Sequence, residues 1–147
     1  MSLRAVELWR GGIDLVSPFR TSFGTEDSRE LLYVHTVGDS HTGWGECVAR
    51  VEPNDSSEYL ENCAQVISRF LVPLLHTESS AEGFISAAAP IRGNYMSKAC
   101  VEAALLDLRL REQNISLATF LEATKTSVAS GVSVGIQQSL DDLVQVV

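Results

Sequence analysis

A predicted β-hairpin in the first third of the chain constrains its fold most strongly. Residues 30–37 (ELLYVHTV) are rich in Leu, Tyr and Val, which favour β-strands. Residues 38–43 (GDSHTG) are turn formers, and residues 44–51 (WGECVARV) resume an apolar pattern. A further strand is predicted over residues 3–15, and three consecutive strands with short connections favour an antiparallel meander.

The hydrophobic period changes from strand-like to helix-like after this meander. Asp55 or Ser56 is predicted to cap a helix, with Glu58 reaching back to complete a capping box. Pro73 ends or kinks that helix. Spacings of three or four residues predict the members of its apolar face: Tyr59, Cys63, Val66, Ile67 and Phe70.

Three more helical segments complete the first domain. Residues 81–89 predict a short helix and residues 94–111 a long one, and Ser116 is placed to cap a third segment, LATFLEA. Strands followed by helices indicate an α+β domain, which we assign to residues 1–124.

The last part of the chain changes to a strand–loop–helix order. Residues 125–130 are small and polar, as in a linker, and residues 132–136 (VSVGI) favour a strand. Ser139 is predicted to cap a helix that runs to the end of the chain. One βα unit cannot bury its own apolar surface, so we expect residues 131–147 to begin a second, truncated domain.

Composition narrows the class of partner. The formal net charge is -8, from 19 acidic and 11 basic residues, which argues against nucleic-acid binding and against docking on an anionic membrane. An apolar run of roughly 20 residues, as needed to span a bilayer, is not found in the sequence. Three scattered cysteines without a CxxC pair indicate reduced thiols, so a cytoplasmic protein is expected.

The residues alone do not indicate a self-contained active site. His35, His41 and His76 lack metal-ligand spacing, so structural or solvated roles are expected. Glu46 beside a cysteine is interpreted as a hydrogen-bonded strand residue. Asp107, in an otherwise apolar helix, is expected to pair with a neighbouring arginine, Arg109 or Arg111, or with a backbone group.

One segment does not fit this simple organisation. Residues 18–27 (PFRTSFGTED) are too polar for a buried strand and too rich in Gly, Ser and Thr for a helix, so a loop is predicted. This loop nevertheless carries Phe19 and Phe23. From composition alone, the two aromatic side chains either cover the core of this domain or face a ligand.

Several stretches, in order along nearly the whole chain, resemble one protein family. They are PFRTSFGT, GWGECVA, SSEY, RFLVPLL, EAALLDLRLREQNISLATFL and GVSVGI. The chain resembles the N-terminal part of the enolase superfamily, in its muconate lactonizing branch, and within it the o-succinylbenzoate synthase and N-acylamino acid racemase family. The resemblance implies a capping domain, with a three-stranded antiparallel meander followed by helices, and the first βα unit of a TIM-type barrel.

The resemblance also implies a chemistry. Family members hold one Mg²⁺ with barrel carboxylates, and barrel lysines remove a proton alpha to a carboxylate to give a metal-stabilised enediolate. The synthases thereby dehydrate a cyclohexadiene carboxylate to 2-succinylbenzoate, for menaquinone biosynthesis, whereas the racemases return the proton to either face. These positions would lie beyond Val147. We therefore assign no catalytic residue and no metal ligand, and expect the 147-residue chain alone to be inactive.

The resemblance implies that this chain contains a specificity lid made of two segments. Residues 18–25 form the first lid segment, and residues 49–55 form the second. Phe19 and Phe23 are expected to face the apolar part of a small carboxylate substrate. Arg20 is expected either to meet a substrate carboxylate or to brace the loop. Because the substrate would be held by the barrel, the loop is expected to be mobile or refolded in this chain.

Other positions of the lid depart from the family pattern. Relatives often have an apolar residue where Arg50 stands and an aromatic residue where Asp55 stands. These two side chains would make the rim of the pocket more polar, would pair with each other, or would meet a dicarboxylate substrate, which favours the synthase over the racemase activity. Ser133 either points toward the substrate or is an ordinary strand serine.

A freestanding α+β module that binds a ligand or a partner is the alternative to an enzyme fragment. Such a module should not end with an apolar strand that lacks neighbours, so the fragment is favoured. The surface that a barrel would cover is expected to be open, and therefore to promote self-association into a homo-oligomer.

Overall fold

The predicted meander is confirmed. The computed structural model describes residues 3–77 and 79–146. Its strands are β1 (Ala5–Thr21), β2 (Gly24–Val37) and β3 (Thr42–Cys47), which form one antiparallel sheet in the order β1-β2-β3. Ala5 lies opposite Val37 at one end of the first pair, and Leu32 lies opposite Cys47 at the end of the second. The sheet therefore follows the chain order expected for short connections.

Helices follow the sheet. Helix α1 (Leu60–Val66) continues as a π-helical turn (Ile67–Leu71) and a 3-10 turn (Val72–His76). The later helices are α2 (Ala81–Ala88), α3 (Tyr95–Gln113), α4 (Leu117–Phe120) and α5 (Leu140–Val146). The Ser116 cap is confirmed by the hydrogen bond that its Oγ accepts from the Thr119 N–H at 3.1 Å, and the Ser139 cap by that from the Asp142 N–H at 3.1 Å.

Close contact between α3 and β3 builds the core. A Cβ atom added at Gly45 would lie 1.9 Å from the Cys100 carbonyl oxygen, and one at Gly43 would lie 2.3 Å from the Ala104 carbonyl oxygen. Only glycine allows the helix and the strand to approach so closely. The approach brings the Thr36 hydroxyl within 3.0 Å of the Ala104 carbonyl oxygen, to which it donates. The GWG sequence is thus a packing requirement of the fold.

The prediction for the α1 region is partly wrong. Glu58 does not complete a capping box on its own helix, whose first residue is Leu60 and whose N-cap, Tyr59, makes no side-chain cap. The Glu58 carboxylate instead accepts hydrogen bonds from the Tyr95 and Met96 N–H groups at 2.6 and 3.0 Å. These are free donors in the first turn of α3, where the helix dipole also favours an anion.

The predicted apolar face of α1 is wrong at its far end. Cys63, Val66 and Ile67 are buried as expected, but Phe70 is 56% exposed and Leu71 is buried in its place. The reason is the π-helical turn over Ile67–Leu71, because its wider hydrogen-bonded turn shifts the buried position by one residue.

The predicted strand at residues 132–136 is also wrong. The segment forms no ladder, Val132 is 86% exposed, and the Ile136 N–H donates to the Arg20 carbonyl oxygen at 2.8 Å. A strand of a parallel barrel needs parallel neighbouring strands, whereas within the described residues this segment makes only a single hydrogen bond to the end of β1. The domain limits 1–124, 125–130 and 131–147 stay predictions.

Replacing Gly45 by Ala should destabilise the fold strongly. The new methyl group would overlap the Cys100 carbonyl oxygen, and backbone cannot move aside cheaply. We expect the free energy of unfolding to fall by about 3 kcal/mol or more in urea titrations followed by circular dichroism. Gly11→Ala is the matched control, because a Cβ there meets nothing within 4 Å, and its effect should stay within about 0.5 kcal/mol.

Replacing Glu58 by Gln should weaken the attachment of α3. The variant keeps the shape of the side chain but loses the charge and one set of acceptor lone pairs, so we expect a loss of about 1–3 kcal/mol in the same titration. Glu61→Gln is the control, since Glu61 makes only an exposed ion pair with Arg10. Equal effects of the two substitutions would contradict the role of Glu58.

Candidate functional site

The first lid segment is a β-hairpin tip and not a loop. Thr21 pairs with Gly24 across a two-residue turn formed by Ser22 and Phe23, and the Thr21 Oγ accepts a hydrogen bond from the Phe23 N–H at 3.2 Å. Gly24 adopts a φ of 146°, which L side chains rarely reach. The predicted loop is therefore wrong, whereas the expected mobility of the segment stays a prediction. The turn residues that indicated a loop belong to a longer hairpin.

This hairpin tip stands apart from the main sheet. The register of β1 against β2 shifts between Asp14 and Phe19, where the ladder is irregular. The third strand also ends early. Its last residue, Cys47, pairs with Leu32, so the β2 residues that precede Leu32 have no partner in β3. Beyond it the tip is a two-stranded ribbon.

The second lid segment is held firmly at its base. Ala49 is buried, and the Arg50 carbonyl oxygen accepts a hydrogen bond from the Leu60 N–H at 2.7 Å. Arg50 also forms an isolated bridge with Tyr59. Further along, the Asn54 side chain donates to the Glu52 carboxylate at 2.8 Å. The segment is thus anchored at Ala49 and Arg50, whereas residues 51–55 are exposed.

A groove of about 460 Å³ lies between the two lid segments. Buried Leu31 and Ala49 are among its apolar lining residues, and Phe23 lines it from the hairpin tip with its side chain 64% exposed. Seven charged residues also line it: Glu26, Arg29, Glu30, Glu46, Arg50, Glu52 and Asp55. With five carboxylates against two guanidinium groups, the groove is acidic.

An ion pair crosses the groove. The Arg50 Nη2 contacts the Glu26 Oε1, so that a side chain of the second lid segment reaches β2 just beyond the hairpin turn. The other Glu26 oxygen accepts a hydrogen bond from the Arg29 Nη2 at 2.9 Å. Both partners of the crossing pair are half-buried, with 31% of the Arg50 side chain and 21% of the Glu26 side chain exposed.

The groove brings together three of the six predicted substrate-binding residues. Phe23, Arg50 and Asp55 line it. Pairing of Arg50 with Asp55, one of the alternatives from the sequence, is not what the structure shows, because Arg50 contacts Glu26. The roles of these residues in binding a substrate stay predictions.

The other three predicted residues lie outside the groove lining. Phe19 is half-buried, and a Cβ added at Gly135 would come within 3.2 Å of its ring. Arg20 is exposed, and its carbonyl oxygen accepts the hydrogen bond from Ile136. Ser133 is exposed. Phe19 and Arg20 therefore contact the C-terminal segment.

Sequence reasoning missed Glu26. The residue carries no motif of its own, and the segment around it was interpreted as a loop. Once the two-residue turn is known, the hairpin register places Glu26 opposite Phe19, at the edge of the groove. A two-residue turn predicted before Gly24 would have indicated this position of Glu26.

The structural interpretation of Asp107 and His35 is confirmed. The Asp107 carboxylate accepts from the Trp44 N–H at 2.9 Å and from the Arg111 Nε at 3.0 Å. His35 stacks on Trp44 with ring centroids 4.0 Å apart, and its Nδ1 lies 3.0 Å from a Glu7 carboxylate oxygen. That hydrogen bond lowers the pKa of Glu7.

The thiols are free and buried, as the sequence predicts. They are Cys47, Cys63 and Cys100. Burial raises the pKa of Cys100 to about 12, so it stays protonated at neutral pH. In residues 3–77 and 79–146, His, Cys, Asp and Glu side chains form no group of three that could hold a metal ion. The helices described there are also too short or too polar to cross a membrane.

Comparison with known proteins identifies the family. The family model described as "Mandelate racemase / muconate lactonizing enzyme, N-terminal domain" matches residues 5–121. The chain belongs to this family. A solved member of the enolase superfamily from Listeria innocua superposes with a TM-score of 0.89 at 32% identity, covering 99% of this chain and 40% of that one. The resemblance to the enolase superfamily is therefore confirmed, and with it the capping-domain fold.

Curated relatives of this mandelate racemase / muconate lactonizing enzyme family domain include racemases and synthases. The chain is 42% identical to an N-succinylamino acid racemase from Amycolatopsis, over all of this chain and 40% of that protein. It is 39% identical to an o-succinylbenzoate synthase from Geobacillus kaustophilus, over 92% of this chain and 37% of that protein. The chain thus spans about 40% of the length of the curated relatives that it matches.

Proposed function

We propose that this chain is the N-terminal part of an o-succinylbenzoate synthase-like lyase and supplies its specificity lid. The reaction would be the dehydration of a cyclohexadiene carboxylate to 2-succinylbenzoate, in menaquinone biosynthesis. The observation that carries the proposal is the groove formed between the two lid segments, with Phe23 at its edge. Support for the enzyme class comes from the relatives of that name.

The proposed role of the lid is to bind the apolar part of the substrate and to exclude water. Phe23 is large, apolar and 64% exposed, so contact with a substrate would remove its surface from water. Water exclusion strengthens the electrostatic interactions on which proton abstraction alpha to a carboxylate depends. The chain's own contribution is then substrate selection and closure, and not proton transfer.

Under this proposal the Mg²⁺ ion and the general bases belong to protein outside these residues. The carboxylates of the groove do not form a three-ligand cluster within the described residues, and Glu26 is already paired with Arg29 and Arg50. When bound in the complete protein, Mg²⁺ would stabilise the negative charge of the enediolate. The substrate would be a small carboxylate.

Racemisation of an N-acylamino acid is the second candidate. The relative from Amycolatopsis, named for racemase activity, is as similar to this chain as those named for the synthase. Arg50 and Asp55 make the rim of this groove polar, which favours the synthase. A freestanding binding module is the third candidate. It is less well supported, because the buried residues of the fold include none from α5.

The large exposed apolar side chains of the C-terminal segment support a further part of the proposal. They include Val128, Val132, Leu140 and Val144. Such a surface is typical of an interface, so we propose that it is covered in the complete protein and that a homo-oligomer forms. A cytoplasmic location is proposed from the free thiols alone.

The activity of the complete protein tests the proposal directly. With Mg²⁺ present, the cyclohexadiene carboxylate should lose water, which absorbance spectroscopy of the aromatic product detects. N-succinylamino acids should be racemised more slowly, as measured by polarimetry. Faster racemisation than dehydration would favour the second candidate, and no reaction with either substrate would contradict both.

Replacing Phe23 by Ala in the complete protein should mainly weaken substrate binding. The loss of apolar contact, about 1–3 kcal/mol, corresponds to a rise in KM of roughly 5- to 150-fold with a smaller change in kcat. Phe70→Ala is the matched control, because this phenylalanine is similarly exposed, at 56%, but does not line the groove. Unchanged kinetic constants for Phe23→Ala would contradict the lid role.

The isolated 147-residue chain should not catalyse proton exchange alpha to the carboxylate. Mass spectrometry of the substrate in deuterated buffer measures this exchange, with buffer alone as the blank. Exchange above that blank, in the presence of Mg²⁺, would mean that a general base lies within these residues.

A further inference from the structure

The two walls of the groove differ in how they are held. The second lid segment is fixed at Arg50, whose backbone accepts the Leu60 N–H and bridges to Tyr59 at the start of α1. Two residues before this helix, Glu58 is buried and is hydrogen-bonded to the first turn of α3. The base of this wall is therefore attached to the packed body of the domain, although residues 51–55 above it are exposed.

The first wall is less firmly attached: apart from the Glu26 ion pair, its main contact is that of Phe19 and Arg20 with the exposed C-terminal segment. The hairpin tip is two-stranded beyond Leu32, and its ladder is interrupted between Asp14 and Phe19. A two-stranded ribbon alone is marginally stable in water. Gly24 and Phe23 at its turn are exposed, so packing beneath them cannot set the position of the tip.

Glu26 and Arg50 connect the two walls. Glu26 lies two residues beyond the turn, and its carboxylate contacts the Arg50 guanidinium across the groove. The pair is half-buried, so it is less screened by salt than an exposed pair. A charge-assisted pair between a movable segment and a fixed one restricts the movable segment.

We infer that the Glu26–Arg50 ion pair holds the hairpin tip over the groove and so positions Phe23. Glu26 and Arg50 are then positioning residues, which act on a substrate through the geometry of the lid. Arg29 contacts the same carboxylate but lies on the same strand, so its contact cannot connect the walls. The effect on substrate rests on the proposed function, whereas the effect on the hairpin tip does not.

The hairpin tip should open more often when this pair is removed. Hydrogen–deuterium exchange followed by mass spectrometry on the 147-residue chain measures opening at residues 19–28, with amides of α3 as the internal reference. We expect Arg50→Gln and Glu26→Gln to speed exchange at the tip roughly tenfold and to leave α3 unchanged. Arg29→Gln is the matched control, because it removes a cation from Glu26 without separating the walls, and its tip should exchange at the rate of the unsubstituted chain.

A charge-swapped variant separates the ion pair from the size of the side chains. The double substitution Glu26→Arg and Arg50→Glu restores opposite charges across the groove, so exchange at the tip should return to within about threefold of the original rate. Three results would overturn the inference. They are an unchanged tip in Arg50→Gln, an equal effect of Arg29→Gln, and faster exchange in α3 as large as that in the tip.

Kinetics of the complete protein test the consequence for substrate. Glu26→Gln should raise KM about tenfold and change kcat less, because the pair positions a binding wall and is not part of the proton transfer. If the complete protein acts on neither substrate class, the proposed function fails while the exchange result still decides the role of the ion pair. Equal KM values for Glu26→Gln and the unsubstituted protein would show that the tip position does not affect binding.

Discussion

The close approach of α3 to β3 is the contact on which the rest of this domain depends. Gly43 and Gly45 remove the side chains that would otherwise separate the strand from the helix backbone. At that distance, backbone carbonyl oxygens of α3 and β3 become acceptors for Thr36 and Cys100. The sheet and the long helix are therefore joined by polar contacts as well as by apolar packing, which fixes their relative position.

The contact between β3 and α3 determines which wall of the groove is attached to the core. The second lid segment begins directly after β3, and the chain then passes Glu58, whose carboxylate holds the first turn of α3. Both ends of the segment are thus attached to the same helix. The hairpin tip has neither attachment, and the contact that joins it to the other wall is the ion pair between Glu26 and Arg50. Under the proposed function, this difference would allow the groove to close without disturbing the core.

Features decided by neighbouring residues were predictable from the sequence. The meander, the α3 helix and the Ser116 and Ser139 caps depend on strand propensity, short turns and local hydrogen bonds. Glu58 was predicted to cap a helix, but the helix was taken to be its own and not α3. The sequence does not show that α3 begins beside Glu58. The π-helical turn that buries Leu71 instead of Phe70 leaves no signal in the spacing of apolar residues. Glu26 and Arg50 are 24 positions apart, and the pairing of β2 with β3 brings the segments that carry them together.

The charges of the groove limit what this domain can contribute to recognition. Five of its lining residues are carboxylates, and both lining arginines contact Glu26. An anionic substrate would be repelled by such a surface unless cations from elsewhere faced it. Under the proposed function, those cations are the metal ion and lysines of the remaining protein. The lid would then recognise the apolar shape of the substrate through Phe23, while the carboxylate is held on the opposite side, so the two parts of the substrate are selected by separate parts of the protein.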